Sequence, residues 1–170
     1  MTTHDAAEHA RQAEVDRYRI VDTLEEQAYD DLTRMAASVC DAPVALITIL
    51  DHDRNWFKSR VGTRAIEAPR EYAFCEHAIR QPDAVTVVAD ATLDTRFNRT
   101  PQVVEAPNIR FYAGAPLVTS NGHALGTICV LDVRPRQLDA KQIETLQFLA
   151  RQVIDKLEER LGALPDGAAP

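Results

Sequence analysis

Three cysteines, five histidines and a scatter of carboxylates are the residues of this chain that could do chemistry. The tightest pairing is in "EYAFCEHAIR", residues 71–80, where Cys75 stands two positions before His77. Such a pair could be a nucleophile with its base, half of a metal site, a chromophore anchor, or packing. The segment 71–81 reads as a short helix, and residues two apart on a helix differ by ~200° around its axis. Cys75 then shares a side with Ala78 and Ile79, and His77 with Phe74 and Gln81. Neither side chain reaches the other, so the spacing predicts a small buried Cys75 and a His77 that faces either a cleft or the backbone. A Cys–His nucleophile would need another histidine, such as His123, and nothing in the sequence brings it near. Cys129 falls in the strand-like "TICVL", where alternation could turn it to core or pocket, and Cys40 ends a helical stretch. Three isolated cysteines with no Cys-x-x-Cys pair suit neither a disulfide framework nor a zinc site.

A second constellation is more diffuse. "DATLDTRF" carries Asp94, Arg96 and Phe97, and "NIRFYAG" carries Arg110, Phe111 and Tyr112. Each residue alone has a structural role open to it: Asp94 as a helix cap, Arg110 as its ion-pair partner or that of Asp90. Together, aromatics, arginines and a carboxylate near one sheet face suit a polar, partly aromatic ligand. Several motifs are missing: a Gly-rich phosphate loop, His-Glu-x-x-His and Gly-x-Ser-x-Gly. Six glycines in 170 residues disfavour a phosphate cradle. The formal net charge of −7 offers no general attraction to nucleic acid or anionic lipid. No apolar stretch approaches the ~20 residues that span a bilayer. The N-terminus is polar throughout, unlike a secretory signal, so the expectation is a cytoplasmic protein without nucleic-acid or membrane partners.

The elements that must position these residues read as follows. Residues 6–18 form a helix whose apolar face is mostly alanine, so it needs a partner. Thr23 and Glu26 make a capping-box pattern ahead of Ala28, Leu32, Met35, Ala36 and Val39 at helical spacing. "VALITIL" (44–50) is a buried strand, "WFKSRVG" (56–62) its antiparallel return, and 63–70 a loop. "AVTVVAD" (84–90) is a strand, and 91–108, with Pro101 and Pro107, a long irregular crossing. Two strands (109–119 and 124–133) meet at Asn121-Gly122, a hairpin signal because both residues tolerate positive φ. Asp139 and Gln142 cap a long helix in which Ile143, Leu146, Ala150, Val153 and Leu157 form a coiled-coil-like seam. This order predicts an α+β fold with a mainly antiparallel sheet, helices on one face and loops over a pocket on the other.

Taken in order, "VALITILDHDRNWFKSRVG", "REYAFCEHAI", "VVADATLDTRF", "IRFYAGAPLVTSNGHALGTICVLD" and "LDAKQIETLQFLARQV" resemble a GAF domain, the sensory module found before bacterial histidine kinases and diguanylate cyclases. The resemblance covers residues 15–160, leaving 1–14 as a partly helical extension and 161–170 as a disordered tail. It implies a GAF-like, PAS-related antiparallel sheet of five or six strands, with terminal helices that often dimerise. It also implies a pocket that in various members takes cyclic nucleotides, haem, bilins or other metabolites; some members reduce free methionine sulfoxide. The specialised signatures are not reproduced. "FNRTPQVVE" departs from the cyclic-nucleotide pattern, the cysteine spacing does not match the sulfoxide-reducing members, and Glu76 separates Cys75 from His77 where bilin-binding members commonly have the two adjacent.

The resemblance leads to a small-molecule-sensing signalling module without catalysis of its own, acting through a homodimer or a signalling partner. The ligand and any cofactor stay unassigned. The expected pocket residues are Phe74, Cys75, His77, Asp94, Arg96, Phe97, Arg110, Tyr112 and Cys129; the expected dimer seam is the Ile143–Leu157 set; no metal or catalytic residue is assigned. Two alternatives use the same fold: a thiol-based redox enzyme or sensor built on Cys75 or Cys129, and a haem or bilin sensor, with His77 as the axial ligand in the haem case.

Overall fold

The apolar run at 44–50 becomes one of the two central strands of the sheet. In the computed structural model, which describes residues 2–165, β1 (Val44–Asp51) pairs with β2 (Arg54–Val61) on one side and β6 (Ala124–Asp132) on the other. β5 (Phe111–Val118) follows β6, and β4 (Thr86–Val88) and β3 (Glu67–Pro69) are the two edges. The order is β3-β2-β1-β6-β5-β4, and every pairing is antiparallel. The continuous apolar character of β1 follows from its position, since both of its faces are buried. The Asn121-Gly122 signal makes the β5–β6 hairpin, with Gly122 at φ 84°. The short edge strand β3 lies inside the segment read as loop.

One face is covered by α1 (Thr3–Tyr18), α2 (Gln27–Cys40) and α5 (Ala140–Ala163). Ile47, Ile49, Phe111, Leu117, Leu125, Ile128 and Val130 meet Leu146, Leu149, Val153 and Leu157 there. The Asp139–Gln142 capping box is formed as expected, with reciprocal bonds of 2.8 and 2.9 Å. The opposite face is covered by α3 (Phe74–Ala78), α4 (Pro101–Val104) and the turns between them. The helix expected over 71–81 is broken by extended Ala73 into a 3-10 turn and α3.

Two further expectations change. The Thr23–Glu26 pair is not a capping box: α2 starts at Gln27 with no side-chain cap. Both residues instead serve Lys58, whose ammonium pairs with Glu26 at 2.6 Å and donates to Thr23 Oγ1 at 2.8 Å. A buried ammonium must be paired, and that need outweighs the cap. The seam on α5 is already engaged: Leu146, Ala150, Val153 and Leu157 are buried in the subunit's own core, and Ile143 is half-buried. Spacing alternately three and four apart serves a helix on a sheet as well as a helix on a helix, so these side chains are not free to meet a second copy.

The segment before residue 15, expected as an extension, is held to the body by polar contacts rather than apolar burial. Arg11 donates to the carbonyls of Leu50 at 2.7 Å and Leu125 at 3.2 Å, and Glu14 accepts from Thr119 and Asn121. Helix α5 extends to Ala163, and the tail expected to be disordered otherwise falls largely outside the described residues. No helix among the described residues is long and apolar enough to cross a membrane.

Candidate functional site

The loop-covered face is organised by one glycine. A Cβ on Gly114 would stand 2.0 Å from Tyr112 Oη. Without it, the Tyr112 ring lies back along its own strand instead of standing off the sheet. Phe74 stacks on that ring at 5.0 Å and 12°, Phe97 packs on Phe74 at 4.5 Å, and His77 meets Phe97 edge-on at 4.8 Å. Offset and edge-on arrangements suit the quadrupoles of the rings. Phe74, Phe97 and Tyr112 are buried and His77 is half-buried. Five of the nine expected pocket residues (Phe74, Cys75, Phe97, Tyr112 and Cys129) therefore form one buried cluster, with His77 at its edge.

Beneath the rings lies a nest of polar groups around Cys75. Its Sγ is 3.3 Å from Thr127 Oγ1, 3.4 Å from Tyr112 Oη, 3.5 Å from Thr48 Oγ1 and 3.7 Å from Asn55 Nδ2. Thr48 and Thr127 face each other across β1 and β6, 3.1 Å apart. Asn55 Oδ1 is buried and has no hydrogen-bond partner, an uncommon state for a buried carbonyl oxygen. Cys129 and the three hydroxyls hold the Cys75 thiol below its usual range, against the opposing effect of burial. Burial pushes the Cys129 thiol and the Tyr112 hydroxyl up. Burial, then the charges of Arg96 and Arg80, lower the His77 imidazole from its usual range.

The remaining expected residues sit at the rim. Asp94 and Arg96 pair with each other at 2.7 Å, and the Arg96 guanidinium lies 5.0 Å over the Phe97 ring. Arg110 does not pair with Asp94 or Asp90. It donates to the carbonyls of Val103 and Ile109, fastening α4 to the start of β5. The cap of the 91–93 turn is Asp90, not Asp94.

Sequence reasoning missed a chain of charges leading away from α3. Glu76 on α3 pairs with Arg70 at 2.6 Å, and Arg70 pairs with Glu8 on α1 at 2.5 Å. Glu8 pairs in turn with Arg11 at 2.9 Å. Burial opposes ionisation of Glu8, but hydrogen bonds from Arg11 and Arg70 hold its carboxyl at about 2. Glu8 and Arg70 lie 62 positions apart, and only the fold joins them. Thr48 and Thr127 did carry a signal: each is a lone hydroxyl in an apolar run.

Two clefts open elsewhere. One of about 480 Å³ separates α5 from β5 and the 82–84 loop, with Arg151 and Asp155 on its wall. The other, about 390 Å³, follows residues 87–95 and includes Asp94 alone of the expected pocket residues. Asp16, Asp51 and His52 have metal-ligand atoms within 4.8 Å of one another. The Gln12 amide already bridges this group, donating to Asp16 at 3.0 Å and Asp51 at 2.8 Å and accepting from the His52 N–H at 2.8 Å. Its geometry is that of a joint between α1 and the β1–β2 turn.

The comparisons agree with this architecture. The GAF domain family model matches residues 25–155. A cyclic di-GMP phosphodiesterase of Pseudomonas aeruginosa is 42% identical over 151 residues, covering 88% of this chain. The chain spans about a quarter (26%) of that relative's length. The GAF domain of an Acinetobacter phosphoenolpyruvate-protein phosphotransferase superposes with a TM-score of 0.65 at 14% identity, covering 98% of this chain and 99% of that one. A free methionine-R-sulfoxide reductase of Neisseria meningitidis gives 0.63 at 17% identity, with coverage of 96% and 97%. The expectation of a sensing module without catalysis of its own is corrected here, because the relative 42% identical to it is named a phosphodiesterase. A six-stranded antiparallel sheet between terminal helices and a loop-built cover, matched by the family model over most of its length, makes this chain a member of the GAF domain family, a signalling and sensing module.

Proposed function

We propose that this chain senses a small molecule over the loop-covered sheet face, and that the occupied state regulates cyclic di-GMP hydrolysis. The observation that carries the reading is the connected arrangement of Phe74, Tyr112, Phe97 and His77 over a polar nest, with Glu76–Arg70–Glu8 running from α3 to α1. The rings offer stacking area and the nest offers hydroxyl donors, which suits a compact, partly aromatic, polar ligand. A ligand inserted beneath α3 must move Glu76, and the Arg70 pairs would carry that displacement to α1. The link to cyclic di-GMP rests on the phosphodiesterase relative. A second copy or signalling partner would meet the outward side of α5, where Phe148 is half exposed, since the inward side is filled.

The test is native mass spectrometry and an absorption spectrum of freshly purified protein, followed by hydrogen exchange with and without the retained molecule. A bound mass whose removal deprotects both residues 70–80 and α1 supports the reading. A ligand that protects only the cleft between α5 and β5 overturns it. Phosphodiesterase activity measured with and without the ligand tests the second half, and an unchanged rate would reject it.

A further inference from the structure

We propose that Cys75 and Cys129 are an oxidisable dithiol that reacts with a small hydroperoxide and, on oxidation, fastens α3 to the sheet. This goes beyond ligand sensing, since it needs no retained molecule. Two independent contacts triangulate the pair. Tyr112 Oη lies over Gly114, Gly114 is the cross-strand neighbour of Cys129, and the same Oη is 3.4 Å from Cys75 Sγ. Thr127, two residues before Cys129 and so on the same face of β6, has its Oγ1 3.3 Å from Cys75 Sγ. Both put Cys129 on the sheet face that Cys75 packs against, and the two side chains share one buried cluster. Cys40, the third cysteine, lies in the other core beneath the helices.

The surroundings supply what the reaction needs. The hydroxyls of Thr48, Thr127 and Tyr112 converge on one sulfur and favour its thiolate. Asn55 Oδ1, buried and unpaired beside that sulfur, is an open acceptor for a peroxide O–H. In the first step, the Cys75 thiolate attacks the terminal oxygen of the hydroperoxide and the O–O bond breaks. The leaving oxygen, met by a nest hydroxyl, takes the proton given up by the Cys75 thiol and departs as alcohol or water. Cys75 is now a sulfenic acid, oxidised by two electrons, and the peroxide is reduced. In the second step, the Cys129 sulfur attacks the Cys75 sulfur and the S–O bond breaks. The hydroxide released takes the Cys129 proton and leaves as water, and a disulfide remains. Cys75 is 3% exposed, so the five-residue α3 must lift for the peroxide to reach it. The disulfide then holds α3 down, and Glu76 and Arg70 make that state visible to α1.

The experiment treats the folded chain with hydrogen peroxide, alkylates the remaining thiols and maps peptides by mass. Free thiols should fall from three to one, the survivor being Cys40, with a linked peptide joining Cys75 and Cys129. In Cys129→Ser the linkage should vanish and dimedone should label Cys75, showing the sulfenic acid without its resolving partner. Hydrogen exchange across 70–80 should slow in the oxidised form. The wild-type map does not depend on a variant folding. Three thiols still reduced after treatment, a linkage involving Cys40 or a second chain, or a pair that forms only in denaturant would each overturn the proposal.

Discussion

The two faces of the sheet are packed on different principles. The helix-covered face is a broad apolar layer that includes Ile47, Ile128, Leu149 and Val153. The loop-covered face places three aromatic rings over the polar side chains of Thr48, Asn55 and Thr127 and two thiols, closed by short elements of three to five residues. Long helices bury enough surface to be held by packing alone. A five-residue helix buries less, and α3 is held by Phe74 and Cys75 on its inner side and by ion pairs at its rim. Permanence and adjustability are thus separated across a single sheet, and the thiols of Cys75 and Cys129 lie on the adjustable side.

The contrast is broken most severely from the helix side. Leu157→Glu places a carboxylate in the apolar layer, and the expected loss is about 4 kcal/mol or more, read as a collapse of the urea midpoint. A variant that folds normally but no longer self-associates would restore the seam as an intersubunit contact. On the loop side, Gly114→Ala should cost about 1–3 kcal/mol by driving the Tyr112 ring off the strand. Its signature is a changed near-ultraviolet circular dichroism spectrum with the far-ultraviolet spectrum intact. An unchanged aromatic spectrum would mean that the glycine does not set the ring's direction.

Arg70→Ala should cost about 2 kcal/mol and speed hydrogen exchange in both α1 and α3, leaving α5 unaffected. The acid limb of stability tests the same contact. The Glu8 carboxyl is lowered from 4.5 to about 2 in the fold, so its contribution is complete above pH 4.5 and fades as pH falls toward 2. Arg70→Ala should shallow that limb in urea titrations run at stepped pH, and an identical limb would assign the acid sensitivity elsewhere. The smallest effect is expected for Tyr112→Phe, about 1 kcal/mol. It should slow alkylation of Cys75 by removing one donor to its sulfur, and a faster reaction would show that the hydroxyl shields more than it activates.

The two faces also differ in how much of them could be read from residues alone. "VALITIL" announced a strand buried on both sides, and Asn121-Gly122 announced the hairpin that sets the β5–β6 register. The grouping of Cys75 with Ala78 on the buried side of α3 followed from helical angles. What escaped was everything that depends on direction or long-range neighbours. That Tyr112 folds back over Gly114 is a fact about a strand and its missing Cβ, and no local pattern distinguishes it from a ring standing upright. Glu8 and Arg70 are ordinary charges in the sequence, and their pairing exists only once α1 has docked. Thr23 and Glu26 matched a cap by spacing, but a buried lysine 35 residues from Thr23 claimed them instead. The α5 seam shows the general reason: a periodicity states which side of a helix is apolar, not what will cover it.

The length of α5 has a mechanical consequence. Its 24 residues make a rod of roughly 36 Å, seated on β5 and β6 and tied near its far end to α1, where Arg160 donates to the carbonyls of Tyr18 and Arg19 and Glu158 accepts from Tyr18. A rod amplifies angle into distance. A tilt of about 5° at the Ala140 end would sweep the Ala163 end through roughly 3 Å at that length, enough to trade one set of side-chain contacts for another. Because α1 is bolted to both the rod and the rim of α3, a sub-ångström adjustment over the aromatic rings has a lever on which to act.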